Sequence, residues 1–278
     1  MLRISLLHAT FRAGESALDV RSAWIGRSEV PRRVEHIFAL DTDDDISLRA
    51  TNGHRRVTGA PVEGVTAVRN WNAAAGAAGG DVMFVIADDL LPPQGWDSRL
   101  EQLVSPLDPH LAPFAVKVHD NDSKPDDVLL RHPVISRAFY EQLGLWSPLF
   151  RGVYCDNELT VRAFWRAFIV DGRSLRLEHR HPEEMDVRWS ESQRRLNQGS
   201  EYADGSAAFA RSWGPVRRKL PVYLVEPGLT LPSATRAARL NRAKSVANGP
   251  SYALRQLMKR LRYERGVRTG RGEPGTAK

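Results

Sequence analysis

An apolar strand that runs straight into two adjacent carboxylates constrains this chain more than any other feature. The run Asp81-Val82-Met83-Phe84-Val85-Ile86-Ala87 meets Asp88-Asp89, and Pro92-Pro93 stops the segment. Packing alone gives a buried strand no reason to end on an acidic pair. At the C-terminal edge of a parallel strand such a pair suits a divalent cation or a polar ligand. A solvated acidic turn would use the same two residues. The stretch before the run, Glu63 to Ala78, is Ala-rich and reads as a helix ended by Gly79-Gly80.

The same alternation recurs upstream. Arg3 to Leu7 reads as a first strand, Ala17 to about Arg27 as a helix with Ser16 as its N-cap, and Val34 to Leu40 as a second strand ending on Asp41-Thr42-Asp43. Val57-Thr58 reads as a short third strand. Strand, helix, strand, helix, strand implies an α/β fold with a parallel sheet. Three strand ends then present polar groups at one edge: Thr10 and Arg12, Asp41 and Asp43, Asp88 and Asp89. Further along, Trp96 to Val104, Ser136 to Leu143 and Asp156 to Ala167 read as helices. Phe114 to Val118 and Val128 to Arg131 read as strands. Phe168 to Val170 and Leu175 to Leu177 read as a closing pair of strands, leading to His179-Arg180-His181-Pro182. Trp96 reads as a packing residue or an acceptor platform.

The C-terminal quarter has a different character. From Arg211 to Lys278 there are 16 Lys and Arg against 3 Asp and Glu, a charge of +13, whereas the preceding residues sum to −6. The expected organisation is a motif-bearing domain over 1–210 and a basic extension over 211–278. That extension reads as a Pro-rich linker (Pro215 to Pro232), helices at Ala234 to Val246 and Tyr252 to Tyr263 separated by Asn248-Gly249-Pro250, and a disordered tail. Such an asymmetry suits a polyanion such as nucleic acid, or an anionic membrane surface; a solubilising helical face has the same composition. The single Cys155 excludes an intramolecular disulfide and a cysteine-rich zinc site. The Val82 to Ala87 run is too short to span a bilayer, and His8 and Arg12 interrupt the apolar N-terminus, so no secretory signal is read. The expectation is a soluble, cytoplasmic protein without integral membrane association.

The order Arg69-Asn70 on a helix, Gly80-Asp81, an apolar strand, Ala87-Asp88-Asp89, then Pro92-Pro93-Gln94-Gly95-Trp96 resembles the nucleotide-sugar domain of GT-A glycosyltransferases, especially the family-2-like group and its small phage-encoded members. The resemblance covers roughly residues 3 to 185. It implies a GT-A-like, Rossmann-like, mostly parallel sheet flanked by helices. It also implies a nucleotide-sugar donor, UDP-linked first among the options, and Mn²⁺ or Mg²⁺ on the leaving diphosphate. Asp88 stands where the family's metal-binding acid stands, with Asp89 beside it. Ile86 occupies the place of the motif's first acid, so the ribose contact of that acid passes to Asp41 or Asp43. Thr10, Arg12, Arg69 and Asn70 match nucleotide-contacting positions. Asp156, opening a helix after Arg151-Gly152-Val153-Tyr154-Cys155, matches the general base of an inverting transfer, with Glu158 second; Asp156 also suits a helix-capping role. His179 or His181 would complete the metal shell or touch the diphosphate.

The leading expectation is therefore a metal-dependent inverting glycosyltransferase. A hydroxymethylated pyrimidine in phage DNA ranks first as acceptor because of the cationic C-terminus; a protein or glycan acceptor follows. A non-catalytic nucleic-acid-binding protein on a degenerate transferase fold is the alternative class. A nucleotidyltransferase would need a Gly-rich phosphate loop near the first strand, where only Gly14 is found.

Overall fold

A computed structural model describes residues 1–60, 65–120, 124–180, 191–217 and 220–268. Strand β1 (Ile4–Ala9) lies between β2 (Val34–Asp41) and β4 (Val82–Ile86), parallel to both, and β3 (Arg56–Gly59) continues the parallel set beyond β2. The connections are α1 (Glu15–Gly26), α2 (Asp45–Ala50) and α3 (Ala67–Ala77). After β4 come β5 (Leu90–Leu91), α4 (Trp96–Val104), β6 (Phe114–His119), β7 (Val134–Ser136), α5 (Arg137–Leu143), α6 (Cys155–Arg166), β8 (Phe168–Arg176) and β9 (Glu178–His179). Helices α7 (Glu191–Leu196), α8 (Gly199–Arg217) and α9 (Leu231–Arg268) follow. The main sheet has the order β3-β2-β1-β4-β7-β6-β8, with β7 antiparallel to both its neighbours. This is the mixed, mostly parallel α/β sheet expected.

Helices cover both faces of the sheet, which is why β4 is apolar at every position. Val82, Phe84 and Ile86 join Trp24, Trp96 and Phe114 on one face, while Met83 and Val85 join Ile37, Ile135, Phe139 and Leu159 on the other. Trp96 is fully buried, and its indole N–H donates to the Trp24 carbonyl at 2.8 Å, so it packs the core and offers no acceptor platform.

Four local expectations need correction. The strand expected at Val128 to Arg131 forms instead at Val134–Ser136, beyond Pro133, because proline has no N–H for a ladder. Ser16 does not cap α1; the N-cap is Gly14, and the Ser16 hydroxyl donates back to the Ala13 carbonyl at 2.6 Å. The two closing strands run as one, β8, crossing Val116 so closely at Gly172 that a Cβ there would lie 2.4 Å from the Val116 side chain. Helix α9 continues through Pro250 where a break was expected; a single missing N–H need not end a helix held elsewhere.

The C-terminal segment is fastened to the sheet. Val225 bridges to Val170, donating its N–H to the Ile169 carbonyl at 2.7 Å and accepting from the Asp171 N–H at 2.8 Å. Asn241 on α9 donates to the Leu224 carbonyl at 2.9 Å, and Arg242 donates to the Phe164 carbonyl at 2.8 Å.

One buried ion pair pins α4 beneath β2. Asp97 is wholly buried and accepts from the Ser28 hydroxyl (2.7 Å), the Glu29 and Val30 N–H groups (2.8 and 3.0 Å) and Arg33 Nε (3.0 Å). Burial alone would raise its pKa, but these donors outweigh burial and hold it at about 2. The folded value is depressed, so this contribution is present above the ordinary Asp range and is lost as pH falls toward about 2. Asp97→Ala leaves the buried Arg33 guanidinium to Glu101 and Ser98 and is expected to cost about 3 kcal/mol in urea unfolding at neutral pH. The deficit should shrink in acid; a loss below about 1 kcal/mol would contradict this account.

Candidate active site

The C-terminal ends of β1 and β4 open toward one cleft of about 750 Å³. Its wall includes Thr10, Arg12, Asn70, Asp88, Asp89, Asp156 and His179, so one cavity gathers most of the residues singled out from the sequence.

The two acids at the tip of β4 have separate surroundings. Asp88 turns toward β1, accepting from His8 Nε2 at 2.8 Å on one oxygen and from the Thr10 hydroxyl at 2.9 Å on the other. Asp89 turns toward β9. The two-residue strands β5 and β9 pair antiparallel, Leu90 opposite His179, and the Arg180 N–H donates to the Asp89 carbonyl at 2.7 Å. This pairing brings His179 Nε2 to 3.6 Å from Asp89 Oδ2. Gln193 of α7 donates to the same oxygen at 2.7 Å. Burial would raise the Asp89 pKa, but His179, His132 and Gln193 overcome it and hold the carboxyl well below the usual range. His179 Nδ1 lies 3.1 Å from the Asp120 carbonyl oxygen. A carbonyl accepts only, so Nδ1 carries a proton, and a neutral His179 ring would present the Nε2 lone pair on the side of Asp89. A carboxylate beside an imidazole lone pair fits a divalent cation that keeps several water or phosphate ligands. Among the described residues no third His, Cys, Asp or Glu joins them. Asp88 thus accepts hydrogen bonds from β1 on both oxygens, whereas Asp89 is the acid that lies beside His179. His181 lies outside the described residues.

Behind His179 sits a buried polar group that the sequence did not reveal. Lys117 is paired with Asp120, Arg131 lies 3.5 Å from Asp120, and the ring of His132 meets that of His179 edge-on at 5.2 Å. Burial and the neighbouring His179 push His132 down to about 4, so it is a neutral ring in the cleft wall at physiological pH.

Asp156 opens α6 just after Tyr154, whose positive φ of 66° turns the chain into the helix. Its carboxylate accepts from the Asn157 N–H at 2.8 Å. Burial raises its pKa, against the opposing pull of that N–H and of Arg131. A carboxyl pushed upward in a cleft has the character of a general base. Glu158 does not share the site. It is buried two residues on and held by Arg162 through contacts of 2.9 to 3.1 Å, while Arg162 also donates to the Leu145 carbonyl at 2.7 Å. The i, i+4 spacing of Glu158 and Arg162 was the signal for this structural pair.

The β2 tip is likewise structural. Asp41 is buried outside the cleft lining and accepts from the Thr66 hydroxyl at 2.8 Å, from Asn70 Nδ2 at 3.0 Å and from Arg69. Its oxygens fasten the start of α3, so they do not face a ribose. Arg69 also lies outside the lining, and Asp43 is exposed beyond it. Asn70 alone of this group reaches the cleft wall. Arg12 does reach the cleft: its φ of 52° is left-handed, its N–H is held by Asp44 at 2.7 Å, and its guanidinium meets Glu191 of α7 at 3.0 Å. Phe11 lies beneath Arg195 at 4.5 Å.

No protein-family model matches the sequence, and no curated protein does. Among solved structures, glucosyl-3-phosphoglycerate synthase from Mycobacterium tuberculosis, in complex with Mn²⁺, UDP and phosphoglyceric acid, superposes with a TM-score of 0.51 at 18% identity over 81% of each chain. The same enzyme in complex with Mg²⁺ and UDP gives 0.50 at 17% identity, over 81% of this chain and 82% of the other. The fold is GT-A. The β1 and β4 tips border the cleft, whose wall Asp89, His179 and Asp156 share.

Proposed function

We propose that the chain is a metal-dependent inverting glycosyltransferase that moves a sugar from a nucleotide-diphosphate donor to an acceptor hydroxyl. The observation that carries this reading is the Asp89–His179 pair sharing one cleft with the upward-shifted carboxyl of Asp156. A volume of about 750 Å³ suits a donor with part of an acceptor. UDP as the nucleotide comes from the likeness to the mycobacterial synthase, whose complexes contain it.

In this proposal Asp89 and His179 hold Mn²⁺ or Mg²⁺, which when bound supplies positive charge to the departing diphosphate. Asp88, fixed by His8 and Thr10, takes a donor hydroxyl on its free lone pairs, replacing the acid that Ile86 lacks. Arg12 faces the nucleotide. Asp156 accepts the proton of the acceptor hydroxyl as that oxygen bonds to the anomeric carbon and the bond to the diphosphate breaks. A panel of nucleotide sugars, assayed by release of the nucleotide diphosphate with and without Mn²⁺, tests the reading. Absence of hydrolysis and transfer across the panel, with no calorimetric binding, would favour the non-catalytic alternative.

For the acceptor, a hydroxymethylated pyrimidine in DNA is supported by the +13 charge of residues 211–278 alone. The α9 residues up to Arg242 pack on the sheet, so a fair truncation starts beyond them. Deleting residues 250–278 removes eight Lys and Arg and is expected to weaken DNA binding and flatten its salt dependence, read by anisotropy titration at several salt concentrations. Unchanged affinity would direct the search to protein or glycan acceptors.

A further inference from the structure

Two imidazoles lie in the core directly beneath Asp88. His8 is wholly buried on β1 and His36 almost so on β2, and their rings meet edge-on with centroids 5.1 Å apart. Both pack on Phe38, at 5.2 and 4.4 Å. The β1–β2 register sets Leu6 opposite His36 and His8 opposite Phe38, so the three rings share one face of the sheet.

The hydrogen bonds have a direction. His8 Nε2 is 2.8 Å from Asp88 Oδ1, and a carboxylate oxygen accepts, so His8 Nε2 carries a proton. His8 Nδ1 is 3.2 Å from His36 Nε2. With His36 kept neutral by burial, its Nε2–H donates to His8 Nδ1, and the chain runs His36 to His8 to Asp88. The far end, His36 Nδ1, is buried and makes no hydrogen bond among the described residues. An orphaned buried nitrogen costs about 1–3 kcal/mol. Phenyl rings or leucines at both positions would fill the same apolar space without that cost. A polar pair at such a cost needs a reason outside packing, and the charged group to which it hydrogen-bonds is Asp88.

We infer that His8, oriented by His36, is a positioning residue that fixes the Asp88 carboxylate for the sugar-nucleotide donor. This rests on the transferase reading above. With His8 on one oxygen and Thr10 on the other, the carboxylate is fixed from two sides, and Asp88 still lines the cleft. The donors also turn Asp88 away from Asp89, which leaves Asp89 and His179 as the cation pair.

The test measures the affinity for UDP-glucose with Mn²⁺ by calorimetry in five forms: the unaltered chain, His8→Leu, His8→Gln, Asp88→Ala, and His8→Leu with Asp88→Ala. His8→Leu is expected to weaken binding about tenfold or more, in the range of lost outer-shell partners. His8→Gln, which keeps an N–H donor, should recover part of the loss. In the Asp88→Ala background His8→Leu should add nothing, because its effect passes through that carboxylate. Equal binding by His8→Leu and the unaltered chain, or full additivity of the two changes, would overturn the inference. If the unaltered chain does not bind UDP-glucose, the donor reading fails and imidazole ¹⁵N NMR decides. A protonated His8 Nε2 whose signal shifts in Asp88→Ala sustains the chain of contacts, and an Nδ1–H tautomer removes it.

Discussion

The Asp156→Asn variant is expected to lose transferase turnover by about 10²- to 10⁴-fold, the range that a positioned general base supplies. The amide keeps the shape and can still meet the Asn157 N–H, but it cannot take the acceptor proton. Donor binding should be unchanged, so the loss falls on kcat. The direction of the pKa shift adds a second readout. Burial raises Asp156, so the acid limb of the kcat profile should turn over above the ordinary Asp value, with activity falling as pH drops through the raised pKa. The same shift has a sign for stability. A carboxyl whose folded pKa is raised stabilises the fold in its protonated form, and this contribution is lost as pH rises through the folded value. At neutral pH the neutral Asn should therefore melt higher than the native residue. A pure helix-capping role gives the opposite pattern: activity retained and melting lowered by the loss of a first-turn acid. Such a result would remove Asp156 from the chemistry.

Much of this architecture was legible because hydrophobic runs and their polar stops are local signals. The Val82 to Ile86 run, its acidic end and the Gly79-Gly80 stop fixed β4 and its tip from composition alone. The parallel order of β1, β2 and β4 then followed from alternation with helices. Two kinds of information were not local. The β5–β9 pairing involves two residues on each side, too few for any periodic signature, yet it helps set His179 beside Asp89. The roles of buried acids were also hidden: Asp41 and Glu158 sit at positions that suit ligand contacts, and only the fold reveals that Asn70 and Arg162 already occupy them. His8 left a trace, as a polar residue interrupting an apolar strand. Nothing in the sequence says that His36 lies beside it.

The division of labour between Asp88 and Asp89 leads to the other large expected effect. Asp89→Ala should reduce Mn²⁺-stimulated turnover about a thousandfold, since the cation's charge on the leaving diphosphate contributes several kcal/mol. His179→Ala should act in the same direction, and the double variant should be little worse than either, because half a cation site holds little. Asp88→Asn should behave differently. It keeps a group between His8 and Thr10, and should weaken donor affinity while sparing the apparent Mn²⁺ requirement. Titrating Mn²⁺ against turnover at saturating donor, and donor against turnover at saturating Mn²⁺, separates the two acids on two axes. Chelation should silence the unaltered enzyme, and added Mn²⁺ should restore it. A site in which Asp88→Asn raises the Mn²⁺ requirement while Asp89→Ala leaves it alone would return the cation to Asp88. His8 would then be a partner of a metal ligand, and the β5–β9 pairing would lose its catalytic purpose.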